Sequence, residues 1–308
     1  MSTKTATGDP AIARTTGVPR ERALSTTRRI NLVVKLGLVL LATVFALYPI
    51  AWIVSASINP TNSLVGLSFI PPGATLANYQ RLYNDPGTPF MLWIFNSAKI
   101  GVICALLIVA LTALAAFAFS RFHFAGRRGT LLTVMLVQLF PNTLALVALF
   151  LMLQQLGNIP GLGWLGLNTH GGLILIYIGG ALGFNTWLMK GFFDTIPREL
   201  DEAATIDGAS RWQVFYRIIL PLSRPILAVT GILTFIGVYG EFLIARLMLR
   251  DRNEFTLMVG LFLFASDRSQ EWGVITAAAL VGAFPVVVFF FLTQKQIVSG
   301  LSSGAVKG

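Results

Sequence analysis

The sequence predicts an all-α integral membrane protein with six membrane-spanning helices. Apolar residues make up 55% of the 308 residues and charged residues only 12%, and the mean hydropathy is +0.74. Soluble domains carry about 25% charged residues, so this chain has too little polar surface to face water on every side. Six stretches reach the ~20 mostly apolar residues that a helix needs to cross a bilayer. A bilayer is therefore the solvent that suits this composition.

The six predicted spans follow one another along the chain with polar connections between them. They cover roughly residues 33–57, 95–119, 130–155, 170–192, 223–248 and 273–294. The first span could be mistaken for a secretory signal, because a basic stretch precedes it and Val54-Ser55-Ala56 resembles a cleavage site. Its apolar run is long for a signal, so we predict an uncleaved helix. Residues 1–29 are rich in Ser, Thr, Ala and Arg without apolar periodicity, which predicts a disordered tail.

The distribution of basic residues predicts the orientation of the spans. Of the 23 Lys and Arg, 17 lie in the amino-terminal part, in the loops after spans two and four, and at the carboxyl end. Cytoplasmic segments carry such an excess, so we predict that both termini are cytoplasmic. Three external loops follow, near 58–94, 156–169 and 249–272. The net charge of +10 comes mainly from the predicted cytoplasmic segments and therefore does not predict a nucleic-acid partner.

Several tryptophans lie near predicted span ends, where their amphipathic rings favour the membrane interface. They are Trp52, Trp93, Trp164 and Trp272.

The one cysteine, Cys104, lies in an apolar run, so no disulfide can form within the chain. Pro49, Pro141 and Pro285 fall inside spans and predict kinks.

The motifs that the chain lacks exclude several function classes. It has no G-x-x-x-x-G-K-[ST] phosphate loop, no Ser-His-Asp arrangement, no zinc-ligand spacing and no dinucleotide fingerprint. We therefore predict no catalytic residue, no metal site and no bound cofactor in this chain. A membrane enzyme is disfavoured for the same reason.

The loop of about 194–222, between spans four and five, differs from the other connections. Pro197 suits a first helical position, and Gly208 suits the stop just past a helix end. Between them, three carboxylates fall in the first turns, where negative charge favours the helix dipole. They are Glu199, Asp201 and Glu202.

A second short helix follows the glycine. Ser210 and Gln213 have the spacing of a capping box, and Pro221 predicts that this helix ends before it. Two short helices that meet at Gly208 would form a compact protrusion, which we call the elbow (residues 194–222).

The first helix of the elbow has the composition of a docking surface. Leu200, Ala203, Ala204 and Asp207 fall on adjoining faces at helical spacing. Alanines permit close approach of a partner, and the neighbouring carboxylates can pair with basic groups. Helices that lie on a membrane surface usually carry Lys and Arg opposite bulky apolar residues, which this one does not. The pattern predicts docking to a cytoplasmic partner.

The same loop carries a family resemblance. Glu202-Ala203-Ala204, then Gly208, then Ile218-Ile219-Leu220-Pro221 resembles, without gaps, the EAA loop of permease subunits in bacterial ABC importers. The resemblance implies the type I ABC importer (MetI-like) permease fold and a coupling helix seated in an ATPase subunit. The residues that it assigns to ATPase coupling are Glu199, Glu202, Ala203, Ala204, Asp207, Gly208, Leu220 and Pro221.

Three other stretches extend the resemblance to about residues 30–308. Residues 69–79 resemble the first external loop of carbohydrate-importer permeases, and 166–172 and 300–308 are similar to MalG-type subunits of maltose/maltodextrin importers. The implied organisation is a tail at 1–29, a permease transmembrane domain at 30–298 and a flexible carboxyl-terminal tail at 299–308. In that family the tail reaches the ATPase subunits, which implies contacts by Ser303, Gly304 and Lys307. The third external loop contacts the binding protein there, which implies a role for Arg250, Asp251, Arg252 and Asn253.

The resemblance also implies partners and a cargo. The partners are a second, MalF-like permease subunit, a homodimeric, MalK-like ATPase that binds ATP and Mg, and an extracytoplasmic sugar-binding protein. The complex would lie in the bacterial inner membrane, and the cargo would be maltose, maltodextrin or a related glucoside such as trehalose.

Glu241 keeps an alternative open, because polar groups inside a membrane are functional candidates. It stands within span five and could face a water-filled path, pair with Arg246 or bond a neighbouring subunit. An ion-gradient-driven secondary transporter or channel would use such a carboxylate near the midplane, together with inverted repeats. No repeat is visible, so this remains the second hypothesis.

Overall fold

The computed structural model describes residues 26–61, 63–64, 66, 68–266 and 271–305. Every regular element in these ranges is helical, as the sequence predicts. The chain divides into two units, residues 1–51 and 52–308. The first contributes most of the helix α1 (Thr26–Ser57), and the second holds all the other helices.

Four helices in the described ranges are long and apolar enough to cross a membrane, and two bent helix pairs bring the number to six if each pair forms one span. The four are Asn31–Ser57 of α1, Phe90–Arg121, His170–Asp194 and Trp272–Gln294. These four helices coincide with predicted spans one, two, four and six, and the bent pair Arg127–Gln138 and Thr143–Gly157 coincides with span three. The other bent pair, Arg211–Leu222 and Arg224–Tyr239, includes part of the elbow, so predicted span five (223–248) corresponds instead to the helices Arg224–Tyr239 and Leu243–Met248.

The amino-terminal half of the chain holds the helices up to span four. The α1 helix includes residues 26–29, which the sequence placed in a disordered tail. It is followed by α2 (Ala77–Asn84), α3 (Phe90–Arg121), α4 (Arg127–Gln138), α5 (Leu146–Gly157) and α6 (His170–Asp194). A short 3-10 turn at Asn142–Ala145 lies between α4 and α5.

The carboxyl-terminal half begins with the elbow helices and ends with a long span. Its helices are α7 (Glu199–Ile206), α8 (Arg211–Val214), α9 (Leu220–Leu222), α10 (Arg224–Tyr239), α11 (Leu243–Met248), α12 (Leu257–Ser266) and α13 (Trp272–Ala305). The α12 helix lies in the stretch that we predicted as an external loop. The helix α13 continues to Ala305, so the predicted flexible tail at 299–308 is helical up to that residue.

Of the three prolines expected to kink spans, only Pro141 stands at a break. The segments on its two sides, Arg127–Gln138 and Thr143–Gly157, meet at 81°. Proline has no N–H to donate, and its ring clashes with the carbonyl four residues earlier, so a helix bends or stops there. The helices α1 and α13 continue through Pro49 and Pro285.

The helix α3 lies at the centre of the second unit and packs against both α6 and α10. Its buried face includes Ile100, Cys104 and Ile108, whose side chains are fully enclosed. Close packing with α10 depends on Gly101, because a Cβ at this position would lie 2.9 Å from the ring of Phe235.

The short helix α12 is held against the start of α3 by a second close approach. Trp93, which we expected to place its ring in the membrane interface, is only 1% exposed and is enclosed by protein. Its ring lies over Gly260 of α12, where an added Cβ would come within 2.0 Å of it. A bare backbone at residue 260 is what allows α12 to pack here.

We expect Gly260→Ala to destabilise the protein. Alanine favours a helix over glycine by about 1 kcal/mol, but overpacking costs about 1–3 kcal/mol, and the rigid Trp93 ring leaves little room to adjust. The midpoint of thermal unfolding of the purified chain in detergent should fall. Gly191→Ala on α6 is the matched control, since no atom of the described residues lies within 4 Å of its Cβ position. Equal midpoints for both variants would contradict the packing argument.

Candidate functional site

The first helix of the elbow begins and ends on backbone hydrogen bonds. Asp201 N and Glu202 N both donate to Arg198 O, so Glu199 is the first helical residue. Pro197 lies two residues earlier, outside the helical position predicted for it. At the other end, Gly208 has a φ of +86°, the left-handed conformation that only glycine adopts without strain. The predicted stop at Gly208 is confirmed.

The second helix of the elbow starts with the predicted capping box. Ser210 Oγ accepts from Gln213 N at 3.3 Å, and Ser210 N donates to Gln213 Oε1 at 2.7 Å. We predicted that this helix ends before Pro221, but the helical path continues through that residue. A π-helical stretch at Phe215–Ile219 widens the turn ahead of the proline, and α9 carries it onward to Leu222. The chain then bends by 75° into α10.

An apolar cluster seats the elbow on the ends of α3 and α6. The rings of Phe117 on α3 and Phe215 in the elbow have centroids 4.9 Å apart. The buried members of the cluster are Ala113, Ala116, Phe117, Met189, Phe193, Ile196, Val214, Phe215 and Ile219. Ala204 and Leu220 pack against this cluster. These two predicted coupling residues therefore contribute to seating the elbow.

A buried ion pair joins α7 to the last residue of α3. Arg121 Nε lies 2.6 Å from Asp201 Oδ2, and the two side chains are only 3% and 7% exposed. The other end of the guanidinium donates from Nη2 to Ile196 O at 3.0 Å. Burial raises the pKa of the Asp201 carboxyl above its usual value, while Arg121 foremost opposes that rise. Asp201 Oδ1 has no hydrogen-bond partner among the described residues.

Further polar contacts converge on the same end of α3. Ser120 Oγ donates to Asp194 Oδ1 at 2.6 Å, and Arg198 donates to Ser120 O at 3.1 Å. Lys190 contacts the second oxygen of Asp194 at 2.5 Å. The backbone connects the elbow covalently to α6 and α10. Side-chain contacts attach it to α3 as well.

The outward face of the elbow combines acidic and apolar side chains. Glu202, Ala203 and Asp207 are exposed, as their predicted role requires. Ile206 is 86% exposed and Trp212 is 60% exposed. Sequence reasoning missed these last two residues, although large apolar side chains in a polar loop are a signal of an interface.

A second candidate surface lies at the opposite end of α3. Arg250, Asp251, Arg252 and Asn253 are exposed at the tip of a loop that we call the outer loop (residues 249–256). Asn168 Oδ1 accepts from both Arg250 N and Asp251 N, at 2.8 and 2.9 Å. The tip is thus held in one shape.

The inner side of the outer loop is bonded to the start of α3. Trp93 Nε1 donates to Arg252 O at 2.7 Å. Asn96 Nδ2 donates to Asn253 O at 2.8 Å and to Phe255 O at 3.1 Å. The side chains of α3 therefore satisfy loop carbonyls that would otherwise be buried without partners.

Glu241 lies at the break between α10 and α11 and caps α11. Its carboxylate accepts from Ile244 N at 2.8 Å, from Ala245 N at 3.0 Å and from Tyr177 Oη at 2.6 Å. No ion pair with Arg246 occurs in the described part of the chain, so that alternative is not supported. Glu241 also lines a groove of about 720 Å³ between α5, α6 and α10.

The remaining predicted site residues lie near the carboxyl end. Ser303 and Gly304 belong to the last turns of α13, and Lys307 lies outside the described residues. Within the described ranges, no cluster of three or more His, Cys, Asp or Glu has the arrangement of a metal site.

Residues 108–298 match the family described as "Binding-protein-dependent transport system inner membrane component". The chain is 42% identical to the maltose/maltodextrin transport system permease protein MalG of Vibrio vulnificus (strain YJ016), over 85% of this chain and 91% of the relative. It is 41% identical to the galactooligosaccharides transport system permease protein GanQ of Bacillus subtilis (strain 168), over 91% and 97%. Among solved structures, it resembles a bacterial ABC transporter that imports the acidic polysaccharide alginate. That match has a TM-score of 0.67 and 25% identity, and it covers 88% of this chain and 98% of the other.

The buried ion pair gives a prediction for stability. Asp201→Leu leaves the Arg121 guanidinium buried without its counter-ion, which costs about 3–5 kcal/mol. The double variant Arg121→Met, Asp201→Leu replaces both charges with apolar groups and should recover most of that loss. The measurement is the midpoint of thermal unfolding in detergent, with exposed Asp207→Leu as the matched control. Equal midpoints for Asp201→Leu and Asp207→Leu would contradict the assignment.

Proposed function

Because the chain belongs to the family of binding-protein-dependent transport system inner membrane components, we propose that it is one permease subunit of an ATP-driven oligosaccharide importer. Its relatives are transport subunits, so the chain serves transport rather than enzymatic catalysis. It is a multi-pass protein of the inner membrane.

The observation that carries the proposal is the geometry of the elbow. Its outward face offers Glu202 beside Ala203 and the exposed Ile206, on a base fixed by a buried ion pair and an apolar cluster. A carboxylate beside small and apolar side chains suits a partner whose cleft has a basic rim and an apolar floor. We propose that this partner is a homodimeric, MalK-like ATPase that binds the ATP and Mg in its own subunits.

The outer loop is the proposed contact for a sugar-binding protein. Arg250, Asp251, Arg252 and Asn253 present charged and amide groups from a loop whose backbone is held by Asn168 and α3. A loop held in its binding shape loses little conformational entropy when a partner docks. One solved structure with the same fold is an alginate transporter in complex with a pentasaccharide-bound periplasmic protein.

The groove beside Glu241 is the proposed contribution of this chain to the translocation path. Its lining includes Tyr177, Asn185 and Thr234 among mostly apolar side chains. A second, MalF-like permease subunit would close the open side of the groove. In this arrangement Glu241 shapes the wall by capping α11.

The relatives limit the class of cargo but do not identify the sugar. The MalG relatives are named for maltose and maltodextrin, and the GanQ relative, at nearly the same identity, is named for galactooligosaccharides. We propose a short oligosaccharide as the cargo, with maltodextrins and glucosides such as trehalose to be tested first and galactooligosaccharides second.

Transport would proceed by alternating access. A loaded binding protein delivers the sugar at the outer loop, ATP binding closes the ATPase dimer, and the elbow follows that closure. The two permease subunits then change between inward-open and outward-open states. The role of this chain is to convert a motion at the elbow into a motion of its spans.

Affinity purification of the tagged chain in mild detergent tests the proposed complex. We expect a second permease subunit and an ATPase to co-purify, and reconstituted complexes to take up sugar only with ATP and the binding protein. A single chain that moves solute in liposomes under an ion gradient without ATP would favour the secondary transporter instead.

Substitutions at the elbow surface should uncouple transport from ATP hydrolysis. Glu202→Lys places like charge against a basic cleft, which costs several kcal/mol, and Gly208→Pro forbids the positive φ of the turn. Sugar uptake should fall by more than about tenfold in both variants while membrane insertion stays normal. Arg128→Glu, an exposed charge reversal outside the elbow, is the control. Normal uptake in both elbow variants would contradict the coupling role.

A further inference from the structure

We propose that α3 acts as a rigid strut that connects the elbow directly to the outer loop, so that docking at one surface changes the other through a single helix. The inference rests on the proposed function, because it assigns the ATPase to the elbow and the binding protein to the outer loop. It adds positioning residues at both ends of α3 that the family resemblance did not indicate.

The two surfaces are bonded to opposite ends of one uninterrupted helix. Trp93 and Arg121 are 28 positions apart in α3, which corresponds to about 42 Å at 1.5 Å per residue. The hydrocarbon core of a bilayer is ~30 Å thick. The helix is therefore long enough to reach both faces of the membrane.

The outer end of α3 is bonded to the outer loop and to the start of α12. Besides the bonds from Trp93 and Asn96 to loop carbonyls, Ser97 Oγ accepts from Leu257 N at 2.7 Å. All three side chains are at most 2% exposed. Buried bonds of this kind exchange little with water, so a displacement of the loop has to move α3 or break several of them together.

The inner end has an equivalent set of contacts with the elbow. Arg121 holds Asp201 and the carbonyl of Ile196, and the carbonyl of Ser120 accepts from Arg198. Separating Arg121 from Asp201 would leave two buried charges unpaired, which is costly. The elbow is therefore expected to move with α3.

The body of α3 is stiffer than that of the neighbouring spans. It contains no proline and one glycine, Gly101, whose open side is filled by Phe235. By comparison, α6 contains six glycines, and α10 is separated from α11 by a break at 240–242. Glycine loosens a helix, and a break absorbs motion, so α3 is the span best suited to transmit a displacement.

The test uses the complete complex in proteoliposomes and measures ATP hydrolysis with and without sugar-loaded binding protein. Asn96→Leu removes the bonds to two loop carbonyls at the outer end. Arg121→Met, Asp201→Leu removes the ion pair at the inner end. Thr112→Val is the matched control, because this buried hydroxyl in the middle of α3 donates to carbonyls of its own helix and to no other group in the described part of the chain.

We expect the basal ATPase rate, measured without binding protein, to stay within about twofold in Asn96→Leu and in Thr112→Val, and the stimulation of the double variant is expressed relative to its own basal rate. Stimulation by the binding protein should fall about tenfold in Asn96→Leu and in the double variant, within the usual range of coupling between sites, and remain normal in Thr112→Val. Combining the two ends should lower it no further than the stronger variant alone, because both act on one connection. Normal stimulation by the binding protein in Asn96→Leu or in the double variant would overturn the proposal that α3 is a strut. So would a combined variant whose loss of stimulation equals the product of the two separate losses.

A distance measurement tests the inner connection even if the double variant does not fold. In a Cys104→Ala background, spin labels at the exposed positions 123 and 205 report the separation of the α3 end from the elbow. This separation should be the same in nucleotide-free and ATP-bound complexes. A change of more than about one helical turn, 5.4 Å, would overturn the rigid connection. Absence of stimulation in the unaltered complex would instead overturn the proposed function, and the inference with it.

Discussion

The direction in which the elbow points depends on a charge pair hidden from water. Two charges are removed from solvent at the end of α3, and the Asp201 Oδ1 atom has no hydrogen-bond partner among the described residues. Such a pair adds little net stability compared with apolar residues, and we infer that its main contribution is to favour one arrangement of the two helices that it joins. Because α7 is only eight residues long, this constraint decides where Glu202 and Ile206 face. Every functional role proposed for the elbow depends on that orientation.

Hydropathy and helix caps were enough to predict most of the architecture. The spans appear because lipid leaves the backbone no option but helices, and this makes apolar length a strong signal. The turn at Gly208 and the capping box at Ser210 were predicted because their signals are local: one residue tolerates a positive φ, and one side chain reaches a nearby N–H. The break at Pro141 was also predicted from a local signal, since a proline interrupts the helix in which it stands.

The roles that escaped prediction are those set by distant partners. Glu199, Asp201 and Glu202 look equivalent in the sequence, yet only Asp201 turns inward, because Arg121 lies 80 positions away on that side. The partners of Asn96 are the carbonyls of residues 253 and 255, more than 150 positions away, and no local pattern in the sequence indicates them. Trp93 was placed at the membrane interface, and α12 instead covers it. The π-helical stretch before Pro221 also could not be read locally, since the pattern of a proline after a short helix usually marks its end.

The exposure of Ile206 has a consequence for chains that have not yet found their partners. An isoleucine side chain left in water forgoes about 1.5–3 kcal/mol of burial energy, and 86% of this one faces outward. A subunit without its partner therefore exposes Ile206 together with Trp212 on the elbow. Exposed apolar side chains of this kind are recognised by quality-control proteases and chaperones. Binding of the proposed ATPase would cover Ile206. The side chain that contacts the partner would then also determine how long an unassembled subunit survives.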